Sequence, residues 1–236
     1  MKILKKVILI VLIVILSIFI VLIWQGYKMY KTAINEISLD DKVSEIRNQK
    51  DYTKISEIPE IYKDAVISVE DHRFNEHNGI DFIAIGRAAF NDMKTLSLLE
   101  GGSTITQQLS KNMYFTQEKK FTRKIAEVFM AYNIEKNYNK KEIFELYINT
   151  IYFGNGYYNI KDASLGYFEK LPKDLTDGEC IMLAGIPNAP SIYNPRVNPE
   201  LAKQRQKQVI QKMIKYGNLS EEEASRIINE KWFKVI

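Results

Sequence analysis

Three carboxylates and two imidazoles crowd into the stretch VEDHRFNEHNG at residues 69–79, namely Glu70, Asp71, Glu76, His72 and His77. The two histidines are the only ones in the chain. Such a set could hold a metal ion, or it could surround one catalytic acid or base. Zinc-binding histidines on a helix usually sit at i, i+4 and are backed by further Cys or His. His72 and His77 are five apart with no cysteine beside them, so the metal reading is the weaker one. A carboxylate that ends an apolar helical run is held still and can reach a substrate hydroxyl as a general base. A solvated Glu-Asp pair at a helix end is the plain alternative, and this stretch alone favours it.

Downstream, GGSTITQQLSKN at residues 101–112 places hydroxyls and amides ahead of a lysine. Gly101 and Gly102 allow a hinge, and Ser103 or Thr104 can cap the helix that follows. On that helix Ser103, Gln107 and Lys111 recur at i+4, as do Thr104, Gln108 and Asn112. The two rows predict a broad polar face suited to sugar hydroxyls and phosphate oxygens, or a surface helix. In RKIAE, Arg123 and Glu127 stand at i, i+4. They form either a surface ion pair of little worth or a guanidinium that clamps phosphate beside an acid.

These side chains need a scaffold, and the patterning is helical. Pro59 opens a helix over IYKDAVISVE, and Asp81 is a candidate cap for DFIAIGRAAFNDMK. Helices are also expected from Ser103 to about Met113, from Phe121 to about Tyr138, over 140–153, over 175–185 and over 201–217. There is no run of alternating residues long enough for a sheet. Cys180 is alone, so no intrachain disulfide can hold the fold.

Ahead of this domain, residues 7–24 carry no charge, and sixteen of the eighteen are Val, Ile, Leu or Phe. Insertion of such a segment is favourable by roughly 5–10 kcal/mol, and its length spans a hydrocarbon core. Trp24, Tyr27 and Tyr30 follow as an interfacial belt rather than the small residues of a cleavage site. The predicted organisation is a cytoplasmic tail at 1–6, a transmembrane anchor at 7–24, a stalk or first helix at 25–44, a catalytic domain at 45–215 and a tail at 216–236. Between Lys111 and Lys141 eight basic residues face three glutamates, a local excess larger than the net charge of +4. That patch expects an anionic partner. The anchor and acidic neighbours argue against nucleic acid.

The order E-D-x-x-F-x-x-H-x-G (70–79), G-G-S-T-I-T-Q-Q-x-x-K-N (101–112) and R-K-x-x-E (123–127) resembles the peptidoglycan glycosyltransferases of glycosyltransferase family 51. These occur alone or as the first domain of bifunctional penicillin-binding proteins. KKEIFELYINTIYFG (140–154) and LAGIPNAPSIYNP (183–195) fit as well. The resemblance implies a mostly α, lysozyme-like domain with a small membrane-proximal lobe. It predicts a monofunctional enzyme, since no segment remains to house a transpeptidase.

It further implies polymerisation of lipid II outside the membrane, with release of undecaprenyl diphosphate. Glu70 becomes the base that deprotonates the acceptor's 4-hydroxyl, and Glu127 the second acid. Lys111, Arg123, Lys119 and Lys124 neutralise the diphosphate. Ser103, Thr104, Gln107, Gln108 and Asn112 line the cleft, while Asp71 and Phe74 support Glu70. No obligatory cofactor is implied, though a divalent Mg or Mn ion could assist at the diphosphate. Expected partners are lipid II, the growing lipid-linked chain, the membrane and other cell-wall synthases.

Residues 81–99, including Phe82, Ile83, Ile85, Phe90, Met93, Leu96, Leu98 and Leu99, are apolar enough to rest on a bilayer or to form ordinary core. His72 is expected to face solvent, and His77 to hold the turn before Gly79. Asn159 stands where the family commonly has glycine; asparagine tolerates a left-handed backbone, so the departure bears only on a turn. Glu100 stands where the family often has glutamine.

Overall fold

A computed structural model describes residues 2–95, 102–116 and 120–229. The described residues form helices and no strand. The order is α1 (Lys2–Glu36), α2 (Leu39–Arg47), α3 (Glu60–Glu70), α4 (Phe82–Thr95), α5 (Ile105–Tyr114) and α6 (Phe121–Asn137). Then follow α7 (Lys140–Ile148), α8 (Ile160–Phe168), α9 (Asp177–Gly185), α10 (Pro199–Lys215) and α11 (Glu221–Asn229).

Local chemistry starts these helices where the sequence suggests. Pro59 is the N-cap of α3. Asp81 Oδ1 accepts from the backbone N–H of Ile83 at 2.9 Å and Ala84 at 3.0 Å, which caps α4. Thr104, Asn139 and Thr176 each form a capping box with the Gln or Glu three residues on. Reciprocal bonds of this kind satisfy two otherwise orphaned donors.

At the centre lies α9, in which every residue from Gly178 to Gly185 is buried. From Cys180 to Gly185 it is apolar around its whole circumference, as a core helix must be, while the buried Glu179 in its first turn accepts from Lys170 Nζ at 2.8 Å. α3, α8, α10 and α11 pack on it. α5 packs on α6 and α7, and α1 lies along α6.

Three stretches differ from expectation. α2 is not a stalk, because Leu39, Val43 and Ile46 are buried in the domain core. Nor is 216–229 a loose tail: Leu219, Ala224 and Ile227 are buried, and α11 is docked through them. α8 is a short helix that the patterning did not announce. Asn159 is its N-cap, with extended backbone (φ −152°) and a side chain that accepts from Asp162 N. A left-handed backbone occurs instead at Asn155, with φ 54°.

α1 runs unbroken from its apolar span into the domain. Its residues from Val7 to Val21 project exposed apolar side chains on all sides, with the single polar hydroxyl of Ser17 folded back onto Ile13 O at 2.8 Å. By length and composition this helix can cross a membrane. Tyr30, Ala33 and Ile34 pack against the domain core. On α4, Phe82 is 76% exposed and Phe90 68% exposed, so these residues are not core. The side chain of Met93 and residues Leu96, Leu98, Leu99, Glu100, Gly101 and Lys119 lie outside the described residues.

Candidate active site

Glu70 is the last residue of α3, and its side chain is only 10% exposed. Gln108 Nε2 on α5 donates to Glu70 Oε2 at 2.8 Å. Tyr147 donates to Gln108 Oε1 at 3.5 Å and so steadies the amide. Glu70 Oε1 is buried without a hydrogen bond, and Arg205 Nη2 stands 3.8 Å away. Burial raises the Glu70 pKa above its ordinary value; the Gln108 bond and the Arg205 charge oppose this without cancelling it. A carboxylate in that state is a stronger base than a solvated one.

Asp71, by contrast, is hydrogen-bonded through both carboxylate oxygens. Its carboxylate accepts from His77 Nε2 at 2.9 and 3.0 Å and from Ile105 N at 3.0 Å. It thereby ties the end of α3 to the start of α5 and fixes the angle at which Glu70 leaves the helix. Behind it, Lys140 donates to His77 O at 2.6 Å and to Glu135 at 2.7 Å, and its ammonium lies 4.5 Å above the Phe74 ring.

The second acid, Glu127 on α6, is buried and lies between two cations. Arg123 Nε is 2.9 Å from Oε1, an ion-pair contact without hydrogen-bond alignment. Lys124 Nζ donates to Oε2 at 3.0 Å and to Ser103 Oγ at 2.7 Å. Lys111 on α5 interacts electrostatically with Glu127, Arg123, Lys124 and Glu70. Burial depresses the Lys111 pKa; Glu127 opposes that, while Arg123 and Lys124 deepen it.

A cleft of about 360 Å³ opens beside Glu70. Ser103, His72, Arg87, Asn188, Arg205, Lys212, Lys215 and Tyr216 line it, with Asp71 and Thr104 at its floor. Four of these are cations, from α4 and α10. Arg205 crosses the end of α9: its Nε donates to Gly185 O at 3.2 Å, and its guanidinium lies 5.5 Å above Tyr193. Gly185 makes room, since a Cβ there would fall 2.9 Å from Arg205 Cγ. His72 stacks on Tyr216 at 4.3 Å and lies 3.4 Å from Arg87 Nη1. Burial and the Arg87 charge lower its pKa. It is part of the cleft wall and not the solvent-facing residue expected.

The structure therefore gathers Glu70, Gln108, Lys111, Ser103, Lys124, Arg123 and Glu127. It assigns other expected residues differently. Gln107 is 2% exposed because α5 begins only at Ile105; its amide turns back to accept from Thr104 N at 3.0 Å. Thr104 gives its proton to Gly79 O at 2.7 Å and accepts from Gln107 N. Phe74 is 2% exposed and packs on Phe144, so it supports the floor and presents no surface to a substrate. Asn112 is half-buried and makes no hydrogen bond to the acids or cations among the described residues. Among the described residues no three His, Cys, Asp or Glu side chains gather to hold a metal.

Arg87, Arg205, Lys212, Lys215 and Tyr216 escaped the sequence reading. One signal was present: Arg205 and Lys212 are seven apart on a polar-faced helix, which aligns them on one side.

Residues 39–214 match the transglycosylase family. A Cupriavidus necator protein named for transglycosylase activity is 44% identical over 180 residues, which is 76% of this chain and 78% of the relative. Penicillin-binding protein 1A of Neisseria gonorrhoeae is 45% identical over 182 residues, 77% of this chain and 23% of the relative. Penicillin-binding protein 1F of Bacillus subtilis is 44% identical over 185 residues, 78% of this chain and 26% of the relative. The chain thus spans about a quarter of the penicillin-binding proteins it matches.

Proposed function

The chain belongs to the transglycosylase family, and we propose that it is a peptidoglycan glycosyltransferase that polymerises lipid II. The observation that carries this reading is one buried carboxylate served by two separate groups of cations. One group, Lys111, Arg123 and Lys124, comes from α5 and α6. The other, Arg87, Arg205, Lys212 and Lys215, comes from α4 and α10. A reaction in which donor and acceptor each bear a lipid diphosphate calls for two anion sites beside one base.

In this scheme the acceptor's diphosphate rests among Arg87, Arg205, Lys212 and Lys215, which brings its 4-hydroxyl to Glu70. Glu70 takes the hydroxyl proton as the oxygen attacks the anomeric carbon of the growing chain. A glycosidic C–O bond forms and inverts that carbon. The bond to the diphosphate breaks, and its electron pair leaves on undecaprenyl diphosphate. Lys111, Arg123 and Lys124 meet that developing charge, with Glu127 holding the last two in place. Preorganised cations at such a point are often the largest catalytic term, about 3–4 kcal/mol per donor removed. A divalent ion would bind chiefly through the diphosphate, because both Glu127 oxygens already face cations.

In this reading the apolar helix holds the domain at the membrane surface where its lipid substrate resides, with the N-terminal end cytoplasmic and the domain outside. A wall hydrolase is the rival, since a lone glutamate also serves glycan cleavage, but hydrolysis would require neither diphosphate site. Incubating the purified full chain with lipid II, with and without chelator, tests the proposal. Glycan polymer is expected, and shortening of preformed glycan without polymer would overturn it. Loss of polymer with chelator would assign part of the diphosphate charge to a metal ion.

A further inference from the structure

α1 meets α6 through a notch. Gly26 is buried, and a Cβ there would lie 2.5 Å from Ile125 Cγ2, 2.6 Å from Ile125 Cβ and 3.0 Å from Thr122 O. Two of those atoms are a main-chain oxygen and a branch point, which cannot swing aside. Any larger residue at 26 must push the helices apart. Next to it Tyr27, and one turn further Tyr30, close on Phe129 with ring centroids 5.2 and 6.0 Å away.

α6 therefore has two faces with different duties. Thr122, Ile125 and Phe129 grip α1, while Arg123, Lys124 and Glu127 between them form the anion site. α1 continues helical from the apolar span, and Gly26 comes two residues after Trp24. At about 1.5 Å per residue, the notch sits roughly 3 Å beyond the end of that span. A flexible tether would leave the height of the anion site free. A helix wedged into α6 immediately after the span does not.

We infer that Gly26 is a positioning residue: the α1–α6 seam fixes the height and tilt of the Arg123–Lys124–Glu127 cluster over the bilayer, to meet the diphosphate of a membrane-held substrate. This rests on the glycosyl transfer proposed above. The seam touches neither substrate nor reacting atoms, so its effect should depend on whether the substrate is held in a bilayer.

The test compares wild type and Gly26→Ala, as full chains in lipid vesicles, on two substrates: long-chain lipid II in the same vesicles, and a short-chain, water-soluble analogue. Displacements near 1 Å can cost about a hundredfold in rate. The expected result is a loss of roughly tenfold or more for Gly26→Ala on the long-chain substrate, with the soluble analogue unchanged. The double variant Gly26→Ala/Ile125→Gly, which moves the notch to the other helix, should recover most of the loss. Equal rates for wild type and Gly26→Ala on the long-chain substrate would overturn the inference. So would an equal drop on both substrates, which would mark simple damage to the fold. A wild type inactive on both would overturn the enzymatic reading, and the role of the seam with it.

Discussion

Replacing Glu70 with glutamine separates what this side chain does for chemistry from what it does to stability. The amide is isosteric, and its oxygen can still accept from Gln108 Nε2, now at 2.8 Å from Oε2. Its NH₂ takes the place of Oε1, which is buried, unbonded and 3.8 Å from Arg205. The base is lost. General-base catalysis contributes about 10²–10⁴-fold, or about 3–5 kcal/mol of barrier at ~1.4 kcal/mol per decade. Polymerisation by Glu70→Gln should fall by that factor, with lipid II binding largely retained. Stability should move the other way. Burial raises the folded-state pKa above 4.5, so the fold favours the protonated carboxyl. That contribution is fully present below the unfolded pKa and is lost as pH rises through the folded one. A neutral glutamine loses nothing over the same window. The melting temperature of Glu70→Gln relative to wild type should therefore climb as pH rises, by about 2–4 °C for each kcal/mol in a domain of this size. Parallel calorimetry and polymerisation assays across pH decide the matter. Activity within about tenfold of wild type would remove Glu70 as the base. A melting difference that shrinks as pH rises would refute the argument from burial.

Lys111 offers a second pH signature. Burial lowers its pKa, and a bound diphosphate would raise it again, so binding should take up a proton. Calorimetric titration with a non-reacting diphosphate lipid should show affinity falling as pH rises through that depressed value, and Lys111→Met should flatten the dependence. Asp71→Ala should unfold more easily by about 3 kcal/mol or more, because it strands buried Ile105 N and His77. Thermal melts should show a drop of roughly 6–12 °C, and Asp71→Asn should show less.

What was legible in the sequence was local. The caps at Thr104 and Asp81 announce themselves through residues three or fewer positions away. Glu70, Gln108, Lys111, Arg123 and Glu127 stand in the motifs that carry the family resemblance. The cationic cleft wall was not legible, because it exists only once α10 packs on α3 and α9 and carries Arg205 to Glu70. The same packing laid His72 on Tyr216. Helical periodicity misplaced Gln107 because it counted Ser103 into a row that begins two residues later, and the capping box then turned the amide inward. α8 and α11 are short and polar on one side, and their burial comes from neighbours far along the chain.

Cys180, on α9, is fully buried, and burial together with Asp177 and Glu179 pushes its thiol up to about 12. Only a thiolate reacts readily, so the native protein shields this atom twice, by access and by protonation. α9 is enclosed on several sides, so small fluctuations of the cleft do not expose it. Alkylation of Cys180 would then keep time with whole-domain opening, and the chain carries an unfolding clock in its own core.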